Sequence, residues 1–343
     1  MTSSIFAFGL GVGTHNNNGE WLEVFYPQPI LAPSPSVAAC VASLGLDQAN
    51  NTHLDTEQLK KLEHVLGEAG ELEQAKIAEK LTHSRSPVVA VVLTENTPPT
   101  TVPEAYLKLH LLSHRLVRPH GTDLTGMFSI LPNVAWTSEG AIDLAELPQR
   151  QLSARLEGKT LEVSCVDKFP KMTNYVVPEG VRIAHTARVR LGAYLGKGTT
   201  IMHEGFVNFN AGTEGPGMIE GRISAGVTIG KGSDLGGSCS TLGTLSGGGE
   251  IVISVGDECL LGANAGVGIP LGNRCTIEAG LFVTAGTKVT VLDNNGKAVQ
   301  SIKARDLAYK PDLLFRRNST TGAVECLTNR SAVELNTELH AHN

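Results

Sequence analysis

The stretch Ile183-Ala184-His185-Thr186-Ala187-Arg188-Val189-Arg190-Leu191-Gly192-Ala193-Tyr194-Leu195-Gly196 decides the fold. An aliphatic side chain returns in it every six positions, and the run continues through Ile201 and Val207. Ile223, Ile229 and Leu235 keep the same spacing, as do Val255, Leu261 and Val267. After a four-residue step, Leu271, Ile277, Val283 and Val289 form a further run. Most of these are followed by a small residue, as at Ala184, Gly196, Gly230, Gly236, Gly256, Gly262, Gly268 and Gly272. A helix asks for apolar residues at a period of about 3.6 and a half-buried strand at about 2, so a sustained six fits neither. It fits a parallel β-helix of hexapeptide units, three to a triangular coil, with the aliphatic residue inside and glycine easing each turn.

Upstream of the repeat the pattern is that of an α/β or α+β domain. Residues 4 to 10 and 21 to 26 read as strands around the turn His15 to Gly19. Gly9-Leu10-Gly11-Val12-Gly13 lacks dinucleotide-loop spacing and is followed by Asn16-Asn17-Asn18-Gly19 instead of a helix, so a hairpin is the better reading. Asp55 and Gln58 frame a capping box ahead of a helix from about Thr56 to Leu66, and a second helix runs from about Gly70 to Leu81. Ser86 to Thr94 is too apolar for a half-exposed strand. Thr101 and Glu104 cap a helix from about Pro103 to Val117, on which His110 and His114 share a face and read as structural histidines. Met127 to Trp136 reads as a strand, Ala145 to Leu156 as a helix and Leu161 to Val166 as a strand. Lys168-Phe169-Pro170-Lys171 links into the repeat. The expected domains are 1–175, an N-terminal α/β domain; 176–296, the β-helix; and 297–343, a small C-terminal tail domain.

Composition bounds the function. A net charge of -6 without a basic run argues against nucleic-acid partners. Aromatics at 5% beside 38 glycines suit a narrow coil interior. No stretch approaches the roughly 18 apolar residues of a membrane span, and Met1 to Gly13 lacks a signal peptide's basic start, so a soluble cytoplasmic protein is expected. The six cysteines show no CxxC pairing; Cys259 and Cys275 hold equivalent places in two coils, as small buried thiols do.

Chemistry is expected where the repeat is interrupted, because regular coils commit their residues to packing. The interruptions are Asn208 to Arg222, carrying Glu214 and Glu220, and Ser238 to Val252 with its run Gly243-Thr244-Leu245-Ser246-Gly247-Gly248-Gly249. Amides without side-chain cover can donate to phosphate or to a developing oxyanion.

Met202-His203-Glu204-Gly205-Phe206-Val207-Asn208, Ile219-Glu220-Gly221-Arg222-Ile223-Ser224-Ala225-Gly226 and Gly243-Thr244-Leu245-Ser246-Gly247-Gly248-Gly249 resemble the tetrahydrodipicolinate N-succinyltransferase family in its longer, actinobacterial and pseudomonad-like form. So do Leu109-His110-Leu111-Leu112-Ser113-His114-Arg115-Leu116 and Leu314-Phe315-Arg316-Arg317-Asn318-Ser319. The resemblance spans nearly the whole chain. It implies a homotrimer of left-handed β-helices with active sites between subunits. The implied reaction moves succinyl from succinyl-CoA to the amine of a ring-opened dicarboxylate, 2-amino-6-oxopimelate, in the diaminopimelate and lysine pathway.

The resemblance also implies roles. Glu220 is the carboxylate that serves the amine, as general base or as the nucleophile of a mixed anhydride, and the sequence leaves both open. Gly243 is the oxyanion donor through its N–H. Arg222, Gly237, Ser240, Ala263, Glu278, Ala279 and Gly286 line the CoA groove, and Lys303, Arg316, Arg317, Asn318 and Ser319 meet the nucleotide end, where guanidinium suits phosphate. Arg182, Arg188 and Arg190 are candidates for the substrate's carboxylates. Some members hold Mg²⁺ on the trimer axis through an Asp and a Glu; the Glu is Glu204, and although the Asp position falls at Ala187, one carboxylate per subunit still gives three around a three-fold axis, enough for a hydrated hard cation. Two other enzyme readings use the same scaffold: a different hexapeptide acyltransferase with His185 or His203 as base, and a metal-dependent hydro-lyase resembling γ-class carbonic anhydrases. A non-catalytic scaffold is the remaining class.

Overall fold

The computed structural model describes residues 5–244 and 250–328. The chain divides into two compact units, one of residues 1–117 and 121–170, the other of 118–120 and 171–343. The boundary thus falls at Pro170, inside the expected linker.

In the first unit Ala7–His15 pairs antiparallel with Trp21–Phe25 on one side and Val88–Leu93 on the other, and Asn51–His53 extends the sheet beyond Val88–Leu93. Every residue of Val88–Leu93 is buried, as its unbroken apolar run requires. Helices Pro35–Ser43, Thr56–Glu68 and Leu72–Leu81 contribute Val41, Leu59, Leu62, Leu66 and Ala78 to one core with Phe8 and Leu10. The Asp55 capping box forms in both directions, with Gln58 N–H donating to Asp55 and Asp55 N–H to Gln58. Glycine at positions 9 and 11 is a packing requirement: a Cβ on Gly9 would lie 2.7 Å from Tyr26 and 2.8 Å from Leu107, and one on Gly11 would lie 2.5 Å from Val24.

One helix is added to the expected elements and two local expectations are corrected. Helix Pro35–Ser43, which the hydrophobic pattern does not announce, starts on a Ser34 cap whose hydroxyl accepts from Val37 N–H. The helix after Thr101 spans Val102–Ser113 and stops short of Val117 because Arg115 adopts φ 63°. Met127–Ile130 is a helical turn and only Val134–Thr137 is strand; Pro132 lies between them, where it has no N–H to give a ladder. His110 is fully buried, with Nδ1–H donating to Tyr106 O (2.7 Å) and Nε2 accepting from Tyr26 N–H (3.2 Å). Both ring nitrogens are engaged.

The second unit is a coil with three parallel faces. Arg182–Ile183, Thr199–Ile201, Gly217–Ile219, Asp234–Leu235, Leu260–Leu261, Thr276–Ile277 and Leu313–Arg317 stack into the first. Phe206–Val207, Arg222–Ile223, Ser240–Thr241, Gly266–Gly268 and Phe282–Thr284 form the second. Tyr194–Leu195, Gly212–Thr213, Thr228–Ile229 and Ser254–Val255 form the third. Ile183, Ile201 and Ile219 stack at eighteen-residue intervals, three hexapeptides to a turn.

The interruptions need redrawing. Asn208 to Arg222 is not a break: Thr213 and Ile219 occupy regular interior positions, and the frame shifts only at the shortened corner between Ile219 and Ile223. Thr213 escaped the aliphatic count because it is polar, yet its β-branched side chain is fully buried and its hydroxyl accepts from Gly215 N–H. Thr241, an interior position of the second face, does the same, accepting from Ser224 N–H and donating to Arg222 O. The real excursion leaves the coil at Gly243 and returns at Val252, where Thr244 and Val252 bridge antiparallel. Leu245 to Gly249, the core of the glycine-rich run, lies outside the described residues, as does Leu335 to His342.

Residues 297 to 328 continue the coil's own sheet. Leu313–Arg317 stacks on Thr276–Ile277 and pairs with Val324–Thr328, which also joins Lys288–Leu292.

Candidate functional site

The corner between the first and second faces is built from one repeated turn. Ser238, Asn264 and Gly280 take φ 59°, 57° and 73° in successive coils, and their N–H groups donate to the carbonyls of Glu220, Gly237 and Ala263. Gly237, Ala263 and Ala279 therefore stand in line, and the register of the first face puts Arg317 in the same place above them. Glu220 lies at the foot of this line, half-buried on the shortened corner, with Oε2 3.4 Å from where a Gly237 Cβ would be. Gly221 beside it has no alternative: a Cβ would lie 2.3 Å from the buried Cys239 thiol. Burial pushes that thiol up to about 12, so it stays protonated and is no rival nucleophile.

The top of the line is cationic and tied down. Arg317 N–H donates to the Glu278 carboxylate (2.7 Å), and its guanidinium to Gly322 O (3.0 Å). Glu325 accepts from both Arg316 (3.0 Å) and Asn318 (2.8 Å), which holds its carboxyl below the ordinary range. Ser319 is exposed in the turn that follows.

Other expected residues lie elsewhere. Arg222 and Ser240 stand on the second face, in a column that continues to Gly266 and Phe282. Gly243 is past the far edge of that face, where a Cβ would come 3.2 Å from Ala225 O. Gly286 is at that same far corner, and Lys303 ends a strand whose next residue, Ala304, donates to Thr287 O. One chain thus gathers Glu220, Gly237, Ala263, Glu278, Ala279, Arg316 and Arg317 on the near corner, and Gly243, Gly286 and Lys303 on the far one.

The lower coils were expected to supply substrate arginines and a metal ligand. Arg188 donates to Glu204 Oε2 (2.9 Å), while Arg190 donates to Asn208 (3.1 Å) and lies over the Phe206 ring. His203 donates to the other oxygen of Glu204 (3.0 Å) and meets the His185 ring edge-on. Mg²⁺ prefers oxygen ligands in near-octahedral array. Within one chain the Glu204 carboxylate is thus engaged by a guanidinium and an imidazole, and no group of three metal-binding side chains occurs among the described residues.

One segment escaped the sequence reading. Arg118-Pro119-His120 belongs with the coil although its flanks belong to the first unit. Arg118 pairs with Glu214 (2.8 Å), His120 N–H donates to Asn210 Oδ1 (2.8 Å), and His120 Nε2–H donates to Gly226 O (2.7 Å). The available signal was Pro119 and Gly121 flanking a polar residue just past a helix.

Residues 131–171 match the family model described as the tetrahydrodipicolinate N-succinyltransferase middle, and 252–285 match the hexapeptide repeat of succinyl-transferase. The chain is 63% identical to the 2,3,4,5-tetrahydropyridine-2,6-dicarboxylate N-succinyltransferases of Pseudomonas paraeruginosa and Pseudomonas putida, over all of both chains in each case. The chain belongs to the tetrahydrodipicolinate N-succinyltransferase family. The Vibrio cholerae member is 57% identical over 98% of this chain and 99% of its own. A Campylobacter jejuni crystal structure assigned as a 2,3,4,5-tetrahydropyridine-2-carboxylate N-succinyltransferase superposes with a TM-score of 0.88 at 32% identity, covering 96% of this chain and 94% of that one. The family's left-handed parallel β-helix behind an N-terminal domain is the architecture of this chain.

Proposed function

We infer that this protein transfers the succinyl group of succinyl-CoA to the amine of tetrahydrodipicolinate in its open-chain form, a step of diaminopimelate and lysine biosynthesis. Identity to the pseudomonad enzymes over the full length carries the reading. The amine nitrogen attacks the thioester carbonyl, the oxyanion collapses, the C–S bond breaks and CoA leaves as the thiol. Glu220 accepts the amine's proton, or attacks first to form a succinyl-glutamyl anhydride that the amine opens. Intact-mass analysis of enzyme with succinyl-CoA alone separates the routes, because only the second adds a succinyl group to the protein. Gly243 N–H receives the oxyanion. The line of Gly237, Ala263 and Ala279 offers a side-chain-poor track for the pantetheine arm between Glu220 and the arginine end.

A site shared between copies of the chain, in a homotrimer, accommodates the separation of Glu220 from Gly243. Free thiols at all six cysteines support a reducing compartment, the cytoplasm. Among the described residues no helix is long and apolar enough to cross a membrane.

The test is Glu220→Ala. Thiol release from succinyl-CoA with the amine present is expected to fall by about a thousandfold, with oligomer size unchanged on gel filtration and acetyl-CoA a poor donor to the wild type. Turnover within a few-fold of wild type in that variant would falsify the assignment of Glu220.

A further inference from the structure

At the corner between the second and third faces each peptide is held by the one above it. Asn210 N–H donates to Gly192 O, and Gly226 N–H donates to Asn210 O. The next rung should donate to Gly226 O, but there the chain departs at Gly243 and returns only at Val252. Among the described residues no backbone N–H reaches Gly226 O. His120 Nε2–H reaches it instead, at 2.7 Å.

The imidazole fills the place of the missing rung. A Cβ on Gly226 would meet His120 Cε1 at 3.2 Å and Val252 Cγ1 at 3.5 Å, so the ring and the returning strand flank the same glycine. The preceding peptide, Ala225, supplies the carbonyl that would lie 3.2 Å from a Gly243 Cβ. His120 itself sits at φ 68°, where a Cβ is disfavoured and glycine would be unstrained. Its N–H is anchored on Asn210, and Arg118 is anchored on Glu214.

We propose that His120 is a positioning residue: it substitutes for the missing corner peptide, fixes the root of the 243–252 excursion, and thereby sets the direction of the Gly243 N–H. The catalytic half of this proposal rests on Gly243 being the oxyanion donor; the anchoring half does not.

The experiment uses the full-length protein with His120→Gly, which removes the imidazole and relieves the backbone, and His120→Gln, whose amide N–H can replace Nε2–H. Hydrogen exchange at Val252 and Ile253 is expected to quicken in His120→Gly and to return toward wild type in His120→Gln. In the same pair, kcat is expected to fall about tenfold and then recover, with KM for succinyl-CoA within twofold throughout. A merely structural role would lower folded fraction without this kcat-against-KM split or the rescue by glutamine. Unchanged exchange in His120→Gly overturns the anchoring whatever the kinetics show. Faster exchange with unchanged kcat overturns the positioning role, and locates the failure in the assignment of Gly243 rather than in the anchor. Exchange is read without substrate, so it stands even if the succinyl transfer were wrong.

Discussion

Glu220 owes its placement to the glycine after it. Gly221 passes so close to the next coil that an added methyl would meet both the Cys239 thiol (2.3 Å) and its backbone carbonyl (2.8 Å), and only the thiol could swing away. Gly221→Ala should therefore cost about 1 to 3 kcal/mol of stability through overpacking, and should lower turnover further by tilting Glu220 off its corner. Chemical denaturation and a succinyl-CoA assay on one preparation check both halves; a variant as stable and active as wild type would show that the corner yields. His110 makes the opposite case, a residue whose value lies in staying neutral. Burial drives its pKa from 6.5 to about 3. A depressed folded value means the unfolded chain binds the proton more readily, so stability is full above about pH 6.5 and declines toward pH 3. The loss should reach roughly 2 kcal/mol at pH 5. Both tryptophans, Trp21 and Trp136, lie in the first unit, so their fluorescence on denaturation at pH 7 and pH 5 reads that decline. His110→Gln keeps an acceptor for Tyr26 N–H and should flatten it.

At the scale of the element, the coil tolerates threonine at an interior position only because its hydroxyl is used. Thr213→Val strands the buried Gly215 N–H, a cost of about 1 to 3 kcal/mol, against about 0.8 kcal/mol regained from the extra apolar group. Net destabilisation is expected on urea denaturation followed by circular dichroism, whereas Thr228→Val, on the partly exposed outer side of its strand, should change little. The same residues explain what was legible beforehand. Aliphatic positions such as Ile201 and Leu261 carry the six-residue period openly, and so the coil could be read. Thr213 and Thr241 hide it, and Thr213 turned a regular coil at Asn208 to Arg222 into an apparent loop. The capping box at Asp55 and Gln58 was readable because both partners are local in sequence. His120 was not, because its partners Asn210 and Gly226 lie far along the chain and become neighbours only once the coil is wound.

At the scale of the whole molecule, the second face separates the two catalytic candidates. Glu220 precedes that face and Gly243 follows it, and an extended strand from Glu220 to Ala225 spans on the order of 15 Å. A carboxylate and an oxyanion donor serving one carbonyl must both come within about 3 Å of the reacting atoms. A single chain therefore cannot bring its own pair to one thioester, whereas a second copy with its far corner against the first chain's near corner can. Such a contact is heterologous, since unlike surfaces meet, and it generates a ring where the rotation between copies closes. Glu220→Gln and Gly243→Pro, the latter removing the N–H, should each be inactive alone yet complement when co-expressed. In randomly mixed rings an intact site needs a Gly243→Pro subunit supplying Glu220 beside a Glu220→Gln subunit supplying Gly243, which happens at about a quarter of the interfaces when the two are equimolar. The unfractionated oligomer pool should accordingly recover about a quarter of wild-type turnover, falling symmetrically as the mixing ratio departs from one to one in either direction. Activity no greater than that of the two parents would place both groups' work within one chain and break the shared-site reading, while leaving the coil and its near-corner line intact.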